Sequence, residues 1–229
     1  RGATAAISAA SPFMISSFVL FIMGWARLVR DVSPAGSLRR AHASQLAENT
    51  TLEHQAMHDS LTNLPNRAFF YQKLDQIYQQ PALQNNSGLL FIDNNDFKQI
   101  NDQYGHQAGD YVLQEMAKRI KYSLREDDFI ARIGGDEFAV ILKNIEHSSQ
   151  AIVVAQNLLR TTDQVIKYSD QSIRYSFSIG IALSKNISNP SELVHLADQA
   201  MYRAKDSLTK WAIIEHKQPK MEPSHEAEY

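Results

Sequence analysis

An α+β fold with a largely antiparallel sheet is the architecture this sequence predicts. From residue 59 onward, segments with helical apolar spacing alternate with apolar runs too short to be helices. Two of those runs, residues 129–133 and 138–142, flank Gly134-Gly135-Asp136-Glu137, which reads as two strands joined by a glycine turn. Strands linked by a hairpin run antiparallel, and helices interspersed among them pack on the sheet. A third observation, an uncharged stretch over residues 2–26, sets the first part of the chain apart from this domain.

Taken in order, residues 1–30 read as a transmembrane segment. A helix over residues 2–26 would run roughly 37 Å at about 1.5 Å per residue, enough to cross a bilayer. Its densest part, residues 12–25, is apolar all round rather than striped, as lipid-facing helices are. Trp25 falls at the expected interface, and Arg27, Arg30, Arg39 and Arg40 follow it, which puts the C-terminal bulk on the cytoplasmic side. A cleaved signal peptide would carry its basic residues before the apolar run and its small residues after it, the reverse of this order. A buried core helix is the other reading of such a run. The chain opens on Arg1 rather than methionine and so reads as the output half of a longer sensor. Residues 31–58 are rich in Ala, Leu, Glu and Gln, with Leu38, Leu46 and Leu52 on a loosely helical spacing. They predict a helical stalk that carries motion or dimerisation, or a plain solvated linker helix.

Residues 59–216 form the predicted domain. The spacing predicts a helix over 67–80, a buried strand over 88–93, and an amphipathic helix over 110–124 with Val112, Leu113, Met116, Ile120 and Leu124 on one side. After the hairpin come a helix over 151–166, a strand over 173–183, a helix over 191–206 opened by Pro190, and a last strand over 211–215. Residues 217–229 are polar, hold Pro219 and Pro223, lack periodicity, and read as a mobile tail.

Composition narrows the chemistry. The chain has no cysteine, which excludes disulfides, thiolate metal sites and a cysteine nucleophile. Its 23 Lys and Arg against 25 Asp and Glu leave a net charge of −2, so no DNA or RNA partner is expected. Asp93 closes an apolar strand, and Asp136 and Glu137 sit at the glycine turn. If those strands are neighbours, carboxylates converge at one sheet edge, where a hard cation such as magnesium would relieve their repulsion. A turn of glycines lets backbone approach a nucleotide closely. Solvated acidic turn residues are the alternative on spacing alone.

The surrounding residues add a family resemblance. Arg132-Ile133-Gly134-Gly135-Asp136-Glu137-Phe138 resembles the signature of the GGDEF family, the diguanylate cyclases. Asp59-Ser60-Leu61-Thr62-Asn63-Leu64-Pro65-Asn66-Arg67 resembles that family's entry motif, and Phe97-Lys98-Gln99-Ile100-Asn101-Asp102 with Gly105-His106-Gln107-Ala108-Gly109-Asp110 its nucleotide-binding stretch. Ser178-Ile179-Gly180-Ile181-Ala182 and Ala197-Asp198-Gln199-Ala200-Met201-Tyr202-Arg203-Ala204-Lys205 match later blocks in the right order. Five ordered blocks make coincidence remote.

The resemblance implies a palm-like domain, with a central mostly antiparallel sheet flanked by helices, that condenses two GTP into cyclic di-GMP with release of two pyrophosphates. It implies Mg2+ held by Asp93, Asp136 and the backbone carbonyl of Asn94, with Glu137 assisting either the metal or the 3′-hydroxyl. Gly134 and Gly135 would approach the nucleotide, Asn101 and Asp110 would read guanine, and Lys98 and Lys205 would meet the triphosphate. A carboxylate accepts from the N–H donors of guanine, an edge adenine lacks. Each residue also has a plainer reading: Asn101 and Asp110 as helix caps, the lysines as solvated side chains, His106 as a structural hydrogen-bonding group, and residues 59–67 as a turn. The resemblance further implies a homodimer, since each domain holds one GTP. With the predicted anchor, it places the chain in the bacterial inner (cytoplasmic) membrane, its catalytic domain in the cytoplasm.

Two positions depart from the family pattern, and a further pair matches it. The strand's second acid is replaced by Asn95, and Thr209 stands where an arginine would help hold phosphates, with Lys210 as a partial substitute. Arg125 and Asp128 match the family's inhibitory product site, although an Arg-x-x-Asp pair at a helix end is also an ordinary salt bridge. Reduced turnover, or a cyclic di-GMP receptor without turnover, is the alternative to an active cyclase.

Overall fold

The computed structural model describes residues 21, 23–25 and 34–215. The chain divides into two units, Arg1–His54 and Gln55–Tyr229. In the first, Phe21, Met23 and Trp25 are helical and 69%, 67% and 62% exposed. The rest of the predicted span over residues 2–26 lies outside the described residues, as does the predicted tail over 217–229. Among the described residues no helix is long and apolar enough to cross a membrane. The predicted linker helix is present as α1, Pro34–Met57, and Leu38, Leu46 and Leu52 on it are all more than half exposed.

The second unit is built on β1, Ser87–Asn95. This strand pairs antiparallel on one side with β3, Glu137–Lys143, and on the other with β6, Ser176–Leu183. β2, Phe129–Gly134, extends the sheet beyond β3, and β7, Trp211–Ile214, runs parallel to β6, giving the order β2-β3-β1-β6-β7. β1 is central because both of its faces are apolar. Leu90 and Ile92 enter one core with Ile100, Val112, Met116 and Phe138, whereas Leu89 and Phe91 enter the other with Phe70, Leu74, Ala139 and Met201. Successive strand side chains point to opposite faces, so a continuous apolar run is what a strand covered on both sides requires.

The first layer consists of α4, Phe97–Tyr104, α5, His106–Tyr122, and α6, Ser148–Arg160. The second consists of α2, Arg67–Tyr78, and α7, Pro190–Lys205; a short α3, Pro81–Gln84, follows α2. α7 lies unusually close to β6. A Cβ at Gly180 would overlap the backbone of Met201 and Ala197, so this strand position must be glycine for the helix to seat.

The structure corrects several predicted boundaries. α5 begins at His106 rather than residue 110, and the unpredicted α4 precedes it; Gly105, with φ of 86°, separates the two. The helix predicted over 151–166 ends at Arg160 and a single 3-10 turn, Thr161–Asp163. Ile166 instead opens β4, Ile166–Tyr168, which pairs with β5, Gln171–Ile173, through a turn containing Ser169 at φ of 51°. The apolar spacing misled because Ile166 and Ile173 are both buried, as partners in this small hairpin rather than on a helix face. The predicted strand over 173–183 therefore breaks before Ser176.

Candidate active site

Asp93 lies near the C-terminal end of β1, directly opposite Glu137 on β3 and Ser178 on β6. Asp136 stands in the turn just before Glu137. The β2–β3 register breaks between Arg132 and Gly134, and Gly135 takes φ of 49°, a left-handed conformation that glycine adopts without strain. The turn is tied to β1 by the Asn94 N–H, which donates to the Asp136 carbonyl at 3.4 Å. The predicted convergence of acidic groups at one sheet edge is therefore present.

The electrostatics of this edge are unfavourable to its own charges. Burial, and then the Asp93 charge, push the Asp136 pKa up. Burial, with Asp93, Asp136 and Asp198 in turn, push Glu137 up as well. The counter-charge comes from Lys205 at the end of α7, whose Nζ stands 2.8 Å from Asp93 Oδ1. Its pKa is raised, first by the hydrogen bond to Asp93, which outweighs burial.

The donor set suits magnesium. Oxygen ligands alone are on offer, and the raised pKa values report a demand for positive charge. Among the described residues no group of three or more His, Cys, Asp or Glu side chains forms a ready metal cage. Magnesium seldom needs one, because it keeps waters and takes substrate phosphates beside one or two carboxylates. Asn94 can contribute only its backbone carbonyl. Its side chain turns to the opposite face, 3% exposed, where Nδ2 donates to Met116 Sδ at 3.3 Å and Oδ1 has no partner.

Asn101 on α4 packs against Gly109, the residue before Asp110 on α5, and a Cβ at Gly109 would overlap Asn101 Oδ1. Neither Asn101 nor Asp110 caps a helix; the capping positions are Asp96 and Gly105. Lys98 is exposed on α4, and His106, expected to make a structural hydrogen bond, makes none among the described residues. Asn95 bridges to β6, donating from Nδ2 to Ser176 Oγ at 3.1 Å and accepting at Oδ1 from Ser178 Oγ at 2.9 Å. Lys210, the partial substitute expected for the missing arginine, lies beside the end of α7. Its Nζ donates to the Lys205 carbonyl at 2.8 Å, and Thr209 Oγ1 donates to the Trp211 carbonyl at 3.1 Å.

At the other end of β2, Asp128 accepts from the backbone N–H of Arg125 at 3.1 Å and of Lys143 at 3.3 Å. The two residues thus adjoin without a side-chain salt bridge, and the Arg125 guanidinium has no bond among the described residues.

Two contributors were not read from the sequence. Arg132 donates through Nε and Nη2 to the Gly135 carbonyl, at 2.9 and 2.6 Å, and through Nη1 to Asp59 Oδ1 at 2.9 Å. Asp59 Oδ1 also accepts from Thr62 N at 2.9 Å and Oγ1 at 2.7 Å. Burial would raise the Asp59 pKa, but the bonds from Thr62 and Arg132 outweigh it and leave it lowered. The entry motif is a turn, as expected, and also a brace on the glycine turn 73 positions away. The second contributor is Asp198 on α7, one of the charges that act on Glu137. Its spacing from Lys205 on a single helix was the available signal.

Comparison with known proteins agrees with this geometry. A family model described as "Diguanylate cyclase, GGDEF domain" matches residues 56–210. The diguanylate cyclase TpbB of Pseudomonas aeruginosa is 47% identical over 161 residues, covering 69% of this chain and 37% of TpbB. The chain thus spans well under half the length of that relative. A solved structure comprising only the GGDEF domain of TpbB superposes with a TM-score of 0.62 at 45% identity, covering 65% of this chain and 88% of that one. The coiled coil and GGDEF domain of DgcB from Caulobacter crescentus, solved with c-di-GMP, superposes with a TM-score of 0.71 at 25% identity, covering 81% and 100%.

Proposed function

We propose, because this chain belongs to the GGDEF family of diguanylate cyclases, that it joins two GTP molecules into cyclic di-GMP and releases two pyrophosphates. The 3′-hydroxyl oxygen of each GTP forms a bond to the α-phosphorus of the other, the bond to pyrophosphate breaks, and one proton leaves each hydroxyl. The observation that carries the reading is the pairing of Asp93 with Glu137 across β1 and β3, with Asp136 in the turn beside them. Asp93, Asp136 and the Asn94 carbonyl would hold Mg2+. Held by these groups, the ion would supply Lewis-acid chemistry, making the attacking hydroxyl more acidic and offsetting charge on the α-phosphate and its leaving group. Glu137 would orient the hydroxyl or the metal shell. Asn101 and Asp110 would select guanine, Gly134 and Gly135 would leave room for the phosphates, and Lys98 and Lys205 would offer them point charges.

One site holds one GTP, so the reading requires a homodimer with two facing sites. Anchoring of residues 2–26 in the bacterial inner membrane, with the domain in the cytoplasm, is part of the proposal; the exposed Phe21, Met23 and Trp25 support it. Product inhibition through Arg125 and Asp128 is supported by the unbonded guanidinium, which is available to a phosphate or a guanine edge. Asn95 and Thr209, occupied with neighbouring groups, favour a second reading in which turnover is low and the chain acts as a cyclic di-GMP receptor. Pyrophosphate release decides between them. The assembled chain with Mg2+ is expected to release it from GTP and not from ATP, and no release from GTP would leave only the receptor.

A further inference from the structure

The ammonium of Lys205 is paired with Asp93. Its Nζ is 2.8 Å from Asp93 Oδ1, and it also acts on Asp136 and Glu137. The backbone that carries it is well fixed, since Gly180 seats α7 against β6 and Lys210 Nζ binds the Lys205 carbonyl. The side chain is not: it is 40% exposed, against 13% for Asp93. A long stem on a firm helix, with its charge on a nearly buried carboxylate, can release that carboxylate and move without repacking the core.

We propose that Lys205 is a built-in counter-ion for the magnesium site, holding Asp93 until nucleotide arrives and then passing from the carboxylate to the triphosphate. The inference rests on the metal reading above and gives Lys205 a role before substrate binds. The ammonium and a divalent ion would repel strongly if both met Asp93 Oδ1 at contact distance, so a free ion that takes this oxygen must displace the ammonium. A metal that enters with GTP brings phosphate oxygens to receive it. The site therefore discriminates against free Mg2+ and takes the metal–nucleotide pair, and the exchange spares either charge from being left unpaired at a half-buried edge.

The test is divalent binding without nucleotide, so it does not depend on turnover. Mn2+ is titrated into the full chain in detergent micelles, and the free ion is read by electron paramagnetic resonance. Lys205→Gln is expected to bind Mn2+ about tenfold or more tightly than the unaltered chain, the scale of a lost charged hydrogen bond. Lys185→Gln, which removes the same charge beyond the end of β6 that pairs with the start of β1, is expected to change affinity by less than about threefold, as suits an exposed, screened charge. Equal affinity in Lys205→Gln and the unaltered chain, with Asp93→Asn losing binding, would overturn the counter-ion role and leave the metal site standing. Binding that survives Asp93→Asn would remove the metal site itself and the proposal with it.

Discussion

Asn94→Val separates the backbone of Asn94 from its side chain. Asn94 is 3% exposed, and its carboxamide meets Met116 on the α5 side of β1. It makes one hydrogen bond, to a thioether at 3.3 Å, and leaves Oδ1 with no partner. An unsatisfied buried acceptor costs about 1–3 kcal/mol, and an amide-to-sulfur bond recovers only a small part of that. Valine removes the acceptor, suits a strand, and adds roughly one methylene of bulk, which offsets part of the gain. The net expectation is about 1–2 kcal/mol of added stability, read as an unfolding midpoint higher by about 2–8 °C. Circular dichroism during heating and urea titration measures it. Activity should stay within about twofold, since the carbonyl on the metal side is unchanged. A destabilised variant, or a loss of turnover at unchanged stability, would refute the separation of the Asn94 carboxamide from the site.

Other perturbations follow from the same geometry. In Asp136→Asn the metal-free domain should gain stability at neutral pH while turnover is lost. A carboxyl whose folded pKa lies above its unfolded 3.8 loses native-state stability as pH rises through that window, so the gain should vanish below about pH 3.8; thermal melts in chelator at several pH values check this. Asp59 has the opposite sign, its lowered pKa contributing stability that is lost as pH falls below its unfolded value of 3.8. Arg132→Ala should lower turnover by about tenfold or more by loosening the glycine turn. Adding Asp59→Ala to it should lower turnover little further, a coupling read by a double-mutant cycle. Gly180→Ala should destabilise the domain by about 2 kcal/mol or more, because backbone rather than a flexible side chain blocks the new methyl. Calorimetry of the purified variant measures that loss.

How far the sequence reveals this site depends on whether the signal is local. The paired carboxylates were legible because Asp93 ends an apolar strand and Asp136 and Glu137 sit in a glycine turn, and local pattern sets both. The register that places Asp93 opposite Glu137 was not legible, since the sequence offered the neighbourhood of those strands only as a condition. The Arg132–Asp59 brace was not legible, since its partners lie 73 positions apart and each suits a plain turn. α4 escaped notice because eight polar-rich residues, Phe97–Tyr104, bury only Ile100 fully. The boundary near Ile166 failed for the opposite reason: an apolar residue at helical spacing served a strand. The hydrogen bond from Lys210 to the Lys205 carbonyl was likewise not legible, since sequence spacing does not say where a long side chain ends.

Product analysis of the full chain, dimeric in micelles and supplied with GTP and Mg2+, tests the central claim most directly. Chromatography with mass detection is expected to find cyclic di-GMP with two pyrophosphates for each product molecule, and none from Asp136→Ala at equal folding. No cyclic dinucleotide from the assembled dimer, or full activity in Asp136→Ala, would contradict the account.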